Sequence, residues 1–203
     1  MGLYESWILP GLLDTAMRNR RLHPYREKTI GAARGFVLEV GAGSGMNWPF
    51  YTRAVDRVCA LDPSPKLLRL AIARIEAVAV PVSLLRGSAE QLPFGNAAFD
   101  TVVTTWTLCT IGNPIRALTE MRRVLAPTGR LLFVEHGLAP ETHVARWQHR
   151  LTPCWKHMGG GCHLDRRIDD LIRAAGFRLG GIETGYMRGP KVMTFMYQGW
   201  AQP

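Results

Sequence analysis

Glu39-Val40-Gly41-Ala42-Gly43-Ser44-Gly45 combines an acid with three glycines spaced two apart, directly after the apolar run Phe36-Val37-Leu38. Glycines at the carboxyl end of a buried strand let the backbone come close to a ligand. The dinucleotide pattern G-x-G-x-x-G would need glycine at position 46, where Met46 stands, and no Gly-Lys-Ser/Thr follows to make a P-loop. Glu39 would also repel a pyrophosphate, whereas it suits a positively charged ligand. Asp62 ends the next apolar run, seventeen residues past Gly45. A carboxylate there can accept from both hydroxyls of a ribose. After a third run comes Gly87-Ser88-Ala89-Glu90-Gln91-Leu92-Pro93-Phe94, where backbone and side-chain groups could read an adenine edge. Three loops at adjacent strand ends thus offer an amino-acid-binding turn, a ribose acid and an adenine loop.

Sulfur and imidazole form a second group. Cys154-x-x-His157 with Cys162-His163 invites a zinc reading, but Cys-x₂-His-x₄-Cys-His is not a usual ligand arrangement, and no metal is expected from it. Trp155 and Met158 stand at helical spacing and read as packing, and Cys109 as core or pocket lining. Trp7, Trp48, Trp106, Trp147 and Trp155 are candidates for an apolar lid that excludes water, although each would also suit a core.

The elements that must position these residues alternate. Residues 3–29 read as one or two short helices interrupted at Pro10-Gly11, with Trp7, Ile8, Leu12, Leu13, Ala16 and Met17 at helical spacing. Strands are expected at 36–40, 55–61, 82–85, 99–105 and 130–135, and helices at 66–79, 114–125, 141–158 and 166–176. Two last strands, 178–187 and 192–200, meet at Arg188-Gly189-Pro190. This alternation predicts an α/β, doubly wound, mostly parallel seven-stranded sheet with N-terminal helices.

Composition agrees. The 203 residues are 47% apolar and 20% charged, enough to bury one full core and too apolar for disorder. The longest uncharged stretch, residues 101–115, contains glycine and proline and is too short to span a bilayer as a helix. The N-terminus lacks a signal-peptide pattern and the four cysteines are scattered, so free thiols and a cytoplasmic location are expected. The net charge of +9 raises the possibility of nucleic acid or anionic lipid, but the arginines are spread out with no block of five or six.

Taken together, Glu39–Gly45, Leu61-Asp62-Pro63-Ser64, Ser88–Phe94 and Phe99-Asp100-Thr101-Val102-Val103 resemble, in order and spacing, the first four motifs of class I S-adenosylmethionine-dependent methyltransferases. The likeness runs from about Gly35 to the C-terminus, which implies a methyltransferase domain at 35–203. Residues 1–34 would then form a helical lid or a membrane-surface segment. The resemblance implies S-adenosylmethionine as cofactor. Glu39, Gly41, Ala42, Gly43, Gly45 and Asn47 would hold its methionine end, Asp62 and Pro63 the ribose, and Ser88, Ala89 and Glu90 the adenine. Thr105 and Trp106 would border the reacting methyl. The family often has aspartate where Ser88 stands, which shifts the adenine contact toward Glu90 or the Ala89 backbone. Asn47-Trp48-Pro49-Phe50 looks like the signature of base amino-methyltransferases, but that signature belongs after the fourth strand, where Thr104-Thr105-Trp106-Thr107 stands.

The second half is similar to the alkyl-thiol S-methyltransferases (the methyltransferase-like 7 group) and their small bacterial relatives. The shared features are Leu108-Cys109, Glu135-His136 and Gly161-Cys162-His163-Leu164. This implies a thiol or sulfide acceptor, with His136 or His163 as the candidate base and no nucleic-acid partner. Phospholipid and quinone methyltransferases share the first four motifs and give the alternative acceptors. An RNA-binding protein retaining the fold is the non-enzyme alternative.

Overall fold

The computed structural model describes residues 8–75 and 78–203, so Trp7 lies outside the described residues. Seven strands form one sheet in the order β3-β2-β1-β4-β5-β7-β6. They are β1 (Gly35–Val40), β2 (Val55–Asp62), β3 (Val82–Arg86), β4 (Phe99–Thr105), β5 (Leu125–His136), β6 (Arg178–Tyr186) and β7 (Phe195–Gln202). The first five run parallel, and β7 inserts antiparallel between β5 and β6. The expected doubly wound sheet is thus present, with an antiparallel pair at one edge.

Successive residues of a strand point to opposite faces, and the sequence uses this to fill two cores. Leu38, Val102 and Phe133 belong to one cluster with Leu118, Met121, Ile168 and Ile172. Their neighbours Val37, Val103 and Leu132 belong to the other, with Ile30, Trp48, Val58 and Ala71. The first face is covered by α4 (Pro114–Val124) and α6 (Ile168–Ala174), the second by α2 (His23–Ile30) and α3 (Pro65–Ile75).

Three local expectations are corrected. Pro10-Gly11 does not interrupt a helix: α1 (Leu9–Met17) takes Pro10 into its first turn, where the missing N–H needs no partner. Strand β5 reaches back to Leu125 through Pro127 and Gly129, with a register irregularity between Phe99 and Thr101. A side chain at Gly129 would press on the Asp100 carbonyl, so glycine permits that approach. Residues 192–194 are not strand but part of a helical turn, α7 (Lys191–Thr194), closed by Thr194 Oγ1 donating to the Pro190 carbonyl at 2.9 Å. Helix α5 (Thr142–Met158) agrees with expectation. Among the described residues no helix is long and apolar enough to cross a membrane.

Candidate active site

A cavity of about 430 Å³ opens at the carboxyl ends of β1, β2 and β4, the place where an open parallel sheet presents its loops. Gly41, Ala42, Gly43 and Asn47 line it after β1, and Asp62 and Pro63 after β2. Ser88, Ala89 and Glu90 follow after β3, and Thr105 and Trp106 at the end of β4. The three loops read from sequence therefore converge on one space.

The glycine turn is built for close approach. Gly41 and Gly43 have φ of 76° and 56°, in the left-handed region that favours glycine. A side chain at Gly41 would collide with the Thr107 hydroxyl, and at Gly43 it would project into open space. Asp62 ties this turn to its own loop. Its Oδ2 accepts from the Gly43 N–H and its Oδ1 from the Ser64 N–H, both at 2.8 Å. Each oxygen keeps a second lone pair.

Glu39 and Gly45 do not line the cavity. Glu39 is 1% exposed and its oxygens accept from Asn47 Nδ2 at 2.7 Å and from Trp48 Nε1 and the Tyr51 hydroxyl, both at 3.1 Å. It holds the floor of the loop and orients Asn47, which is the residue that faces the cavity. A side chain at Gly45 would strike the Trp48 ring, so that glycine serves packing.

Neither histidine lines the cavity. His136 ends β5 and its Nε2 lies 3.1 Å from Cys162 Sγ. His163 sits in the loop after α5, its Nδ1 3.8 Å from Asp165. Its imidazole is shifted down by burial and by the nearby Arg166 and Lys156 charges. Of the tryptophans, Trp106 borders the cavity and Trp48 lies in the core, whereas Trp147 is 54% exposed on α5.

Sequence reasoning missed two residues and the role of a third. Arg26, on α2, lines the cavity while only 1% exposed. Its Nε donates to Asn47 Oδ1 at 3.0 Å, its guanidinium lies 5.1 Å from the Trp106 ring centroid, and its Nη2 is buried with no hydrogen-bond partner among the described residues. Burial pushes this guanidinium down to about 10, against the pull of Glu39. The short α2 carries no periodic signal that would single out Arg26. Asp14 interrupts the apolar stripe of α1 and was legible in principle. It accepts from Arg18 and from Arg74 Nη2 at 3.0 Å, and Arg74 Nη1 donates to the Ser44 carbonyl at 2.5 Å. This chain fastens α1 to the glycine turn, so that Leu13, Asp14 and Met17 wall the cavity. Glu135, the third, braces the loop after β4: its Oε1 accepts from the N–H groups of Thr107 and Leu108 at 2.9 and 3.0 Å.

Burial raises both buried acids to about 7, Glu39 against donors from Asn47, Tyr51 and Trp48, and Glu135 against donors from the Thr107 and Leu108 backbone. Their folded values lie above the ordinary 4.5, so the protonated folded form is favoured and stability is lost as pH rises through about 7. Each acid accounts for on the order of 3 kcal/mol across that window. The melting temperature is therefore expected to fall from about pH 5 to pH 8, and Glu39→Gln to flatten that fall by about half. Thermal melts of both proteins across this range check it, and an unchanged slope in Glu39→Gln refutes the assignment.

The cavity fits S-adenosylmethionine. The unpartnered Arg26 Nη2 matches a carboxylate, the open space over Gly43 admits a ligand backbone, and Asp62 presents two acceptors. A family model described as a methyltransferase domain matches residues 38–133. The chain is 34% identical over 145 residues to thiol S-methyltransferase TMT1B of Rattus norvegicus, covering 70% of this chain and 59% of that relative. It is 36% identical over 176 residues to a phosphatidylethanolamine N-methyltransferase of Cereibacter sphaeroides, covering 82% and 81%. A SAM-dependent methyltransferase of Methanosarcina mazei superposes with a TM-score of 0.68 at 18% identity, covering 91% of this chain and 97% of that one. The chain belongs to the class I S-adenosylmethionine-dependent methyltransferases.

Proposed function

We propose that this protein methylates sulfide or a small alkyl thiol, with S-adenosylmethionine as donor. The observation that carries the reading is a single cavity lined by both polar and apolar groups. Polar groups (Arg26, Asn47, Asp62 and the glycine turn) and apolar side chains (Leu13, Met17, Trp106 and Ile111) line the same space. The likeness to the rat thiol S-methyltransferase supports the acceptor class.

When bound, the donor supplies an electrophilic methyl group on a sulfonium. Arg26 pairs with the methionine carboxylate, the loop from Gly41 to Asn47 receives the amino end, Asp62 accepts from the ribose hydroxyls, and Ser88, Ala89 and Glu90 meet the adenine. Thr105 and Trp106 border the reacting methyl, and α1 serves as a wall over the site. The work left to the chain is to align the acceptor and exclude water. Sulfide and thiols are far more acidic than alcohols and the thiolate is a strong nucleophile, so no histidine has to reach the cavity.

A phospholipid acceptor is the second reading, favoured by the bacterial relative and by Ile8 just before α1, Leu12 on α1, and Trp147, Leu151 and Met158 on α5, all at least 40% exposed. Purified protein with labelled S-adenosylmethionine should be offered sulfide, methanethiol, a longer alkyl thiol, a phosphatidylethanolamine dispersion and a demethylated quinone. Label on a thiol or sulfide is the expected result. Label only on lipid or quinone overturns the thiol reading and leaves the donor site standing.

A further inference from the structure

Cys109, His136 and Cys162 are 27 and 26 residues apart, far outside any spacing that a sequence scan reads as a metal motif. The fold brings them together from the loop after β4, the end of β5 and the loop after α5, with their ligand atoms all within 4.8 Å of one another. We propose that these three residues form a binding site for one Zn²⁺ ion.

The chemistry of the set fits. Two thiolates and an imidazole are a donor combination zinc takes, with a fourth position left to water. Bonds of about 2.3 Å to sulfur and 2.0 Å to nitrogen hold such donors about 3.5 to 4 Å apart. The present set, 3.1 Å between His136 Nε2 and Cys162 Sγ and within 4.8 Å throughout, needs shifts of up to about 1 Å to reach that. His136 Nδ1 is buried with no hydrogen-bond partner among the described residues. The other ring nitrogen, Nε2, faces Cys162 Sγ, the position from which it could ligate an ion.

Charge and packing agree as well. Leu164, Trp155 and Met193 pack against the two sulfurs and shield them from exchange. The ionisable groups nearest the cluster are Glu135 and Arg166. Two thiolates set against a divalent ion leave the cluster itself without net charge. A monovalent ion would leave one negative charge buried.

The consequence concerns the wall of the cavity. The His163 N–H donates to the Cys109 carbonyl at 2.8 Å, and Arg166 donates to the carbonyls of Leu108 and Ile111. An ion at the cluster would staple these loops to β5, and with them Thr110, Ile111 and Gly160, which line the cavity. None of the three ligands lines the cavity itself, so the site stands whichever acceptor is used.

The test uses the full chain with Cys59→Ser and Cys154→Ser, so that Cys109 and Cys162 are the remaining thiols. After treatment with a chelator it is titrated with Cd²⁺, read by thiolate-to-metal charge-transfer absorption, and with Zn²⁺ against a chromophoric chelator. A band saturating at one equivalent, together with Zn²⁺ retained through desalting, supports the site. Adding Cys109→Ser or Cys162→Ser should weaken Zn²⁺ binding at least about 100-fold. No band at one equivalent, or binding unchanged by either added substitution, overturns the proposal. Should an added substitution prevent folding, the titration of the two-thiol chain decides by itself. Oxidation of that pair to a disulfide with no Zn²⁺ uptake also overturns it.

Discussion

Asp62→Asn is expected to weaken binding of S-adenosylmethionine by about 100-fold while the chain stays folded. The two oxygens of Asp62 accept from the N–H groups of Gly43 and Ser64 at the same 2.8 Å. An asparagine amide offers one oxygen and one NH₂, so whichever way it turns, a donor meets a donor. The turn carrying Gly43 or the loop carrying Ser64 must then move away. The variant also loses the charge that would receive the ribose hydroxyls. Lost charge-assisted hydrogen bonds of about 1.5 to 3 kcal/mol each reach the stated factor with two of them. Isothermal titration with S-adenosylmethionine, beside circular dichroism to verify folding, measures it. An affinity within about threefold of wild type would sink the assigned role of Asp62.

Arg26→Met should separate binding from stability. The guanidinium is buried with one nitrogen unpartnered, an arrangement that costs free energy in the unliganded chain. An apolar side chain of similar length removes that penalty, so the melting temperature without ligand is expected to hold or rise. Donor affinity is expected to fall by about 100-fold, since a partly desolvated charge pair with the methionine carboxylate is lost. The loss should shrink for an analogue that lacks the carboxylate, because that analogue never made the pair. If the variant loses stability and keeps affinity, Arg26 is a structural residue that supports Asn47.

The strand ends and their loops were legible because each motif is local: glycines, one acid and a stop, all within a few residues. Gly41, Gly43, Asp62 and Glu90 follow directly from that. What the sequence hid lies in the long-range contacts. Glu39 reads as a ligand-facing acid, and only the fold shows Trp48 and Tyr51 closing on it from the other side. Arg26 sits in a helix with no pattern to mark it, and its burial depends on packing under the glycine turn. His136 reads as cavity-facing from its place at a strand end, yet the loop after α5 folds over it and presents Cys162. Periodicity also cannot see where a proline is harmless, which is why α1 runs unbroken through Pro10 and Gly11.

The place of β7 has a bearing on how this chain is made. Strand β5 ends at His136, and its antiparallel neighbour starts at Phe195, 59 residues later. At about 5 to 20 residues per second of synthesis, the open edge of β5 waits on the order of 3 to 12 s for its partner. During that interval Leu131, Phe133 and Val134, wholly buried in the finished fold, flank an unpaired backbone next to the ribosome. The donor-binding half can assemble meanwhile, since β1 to β4 already contain its loops. Slowed translation past residue 136 would therefore expose a sticky intermediate, and a chaperone that caps strand edges would find its client there.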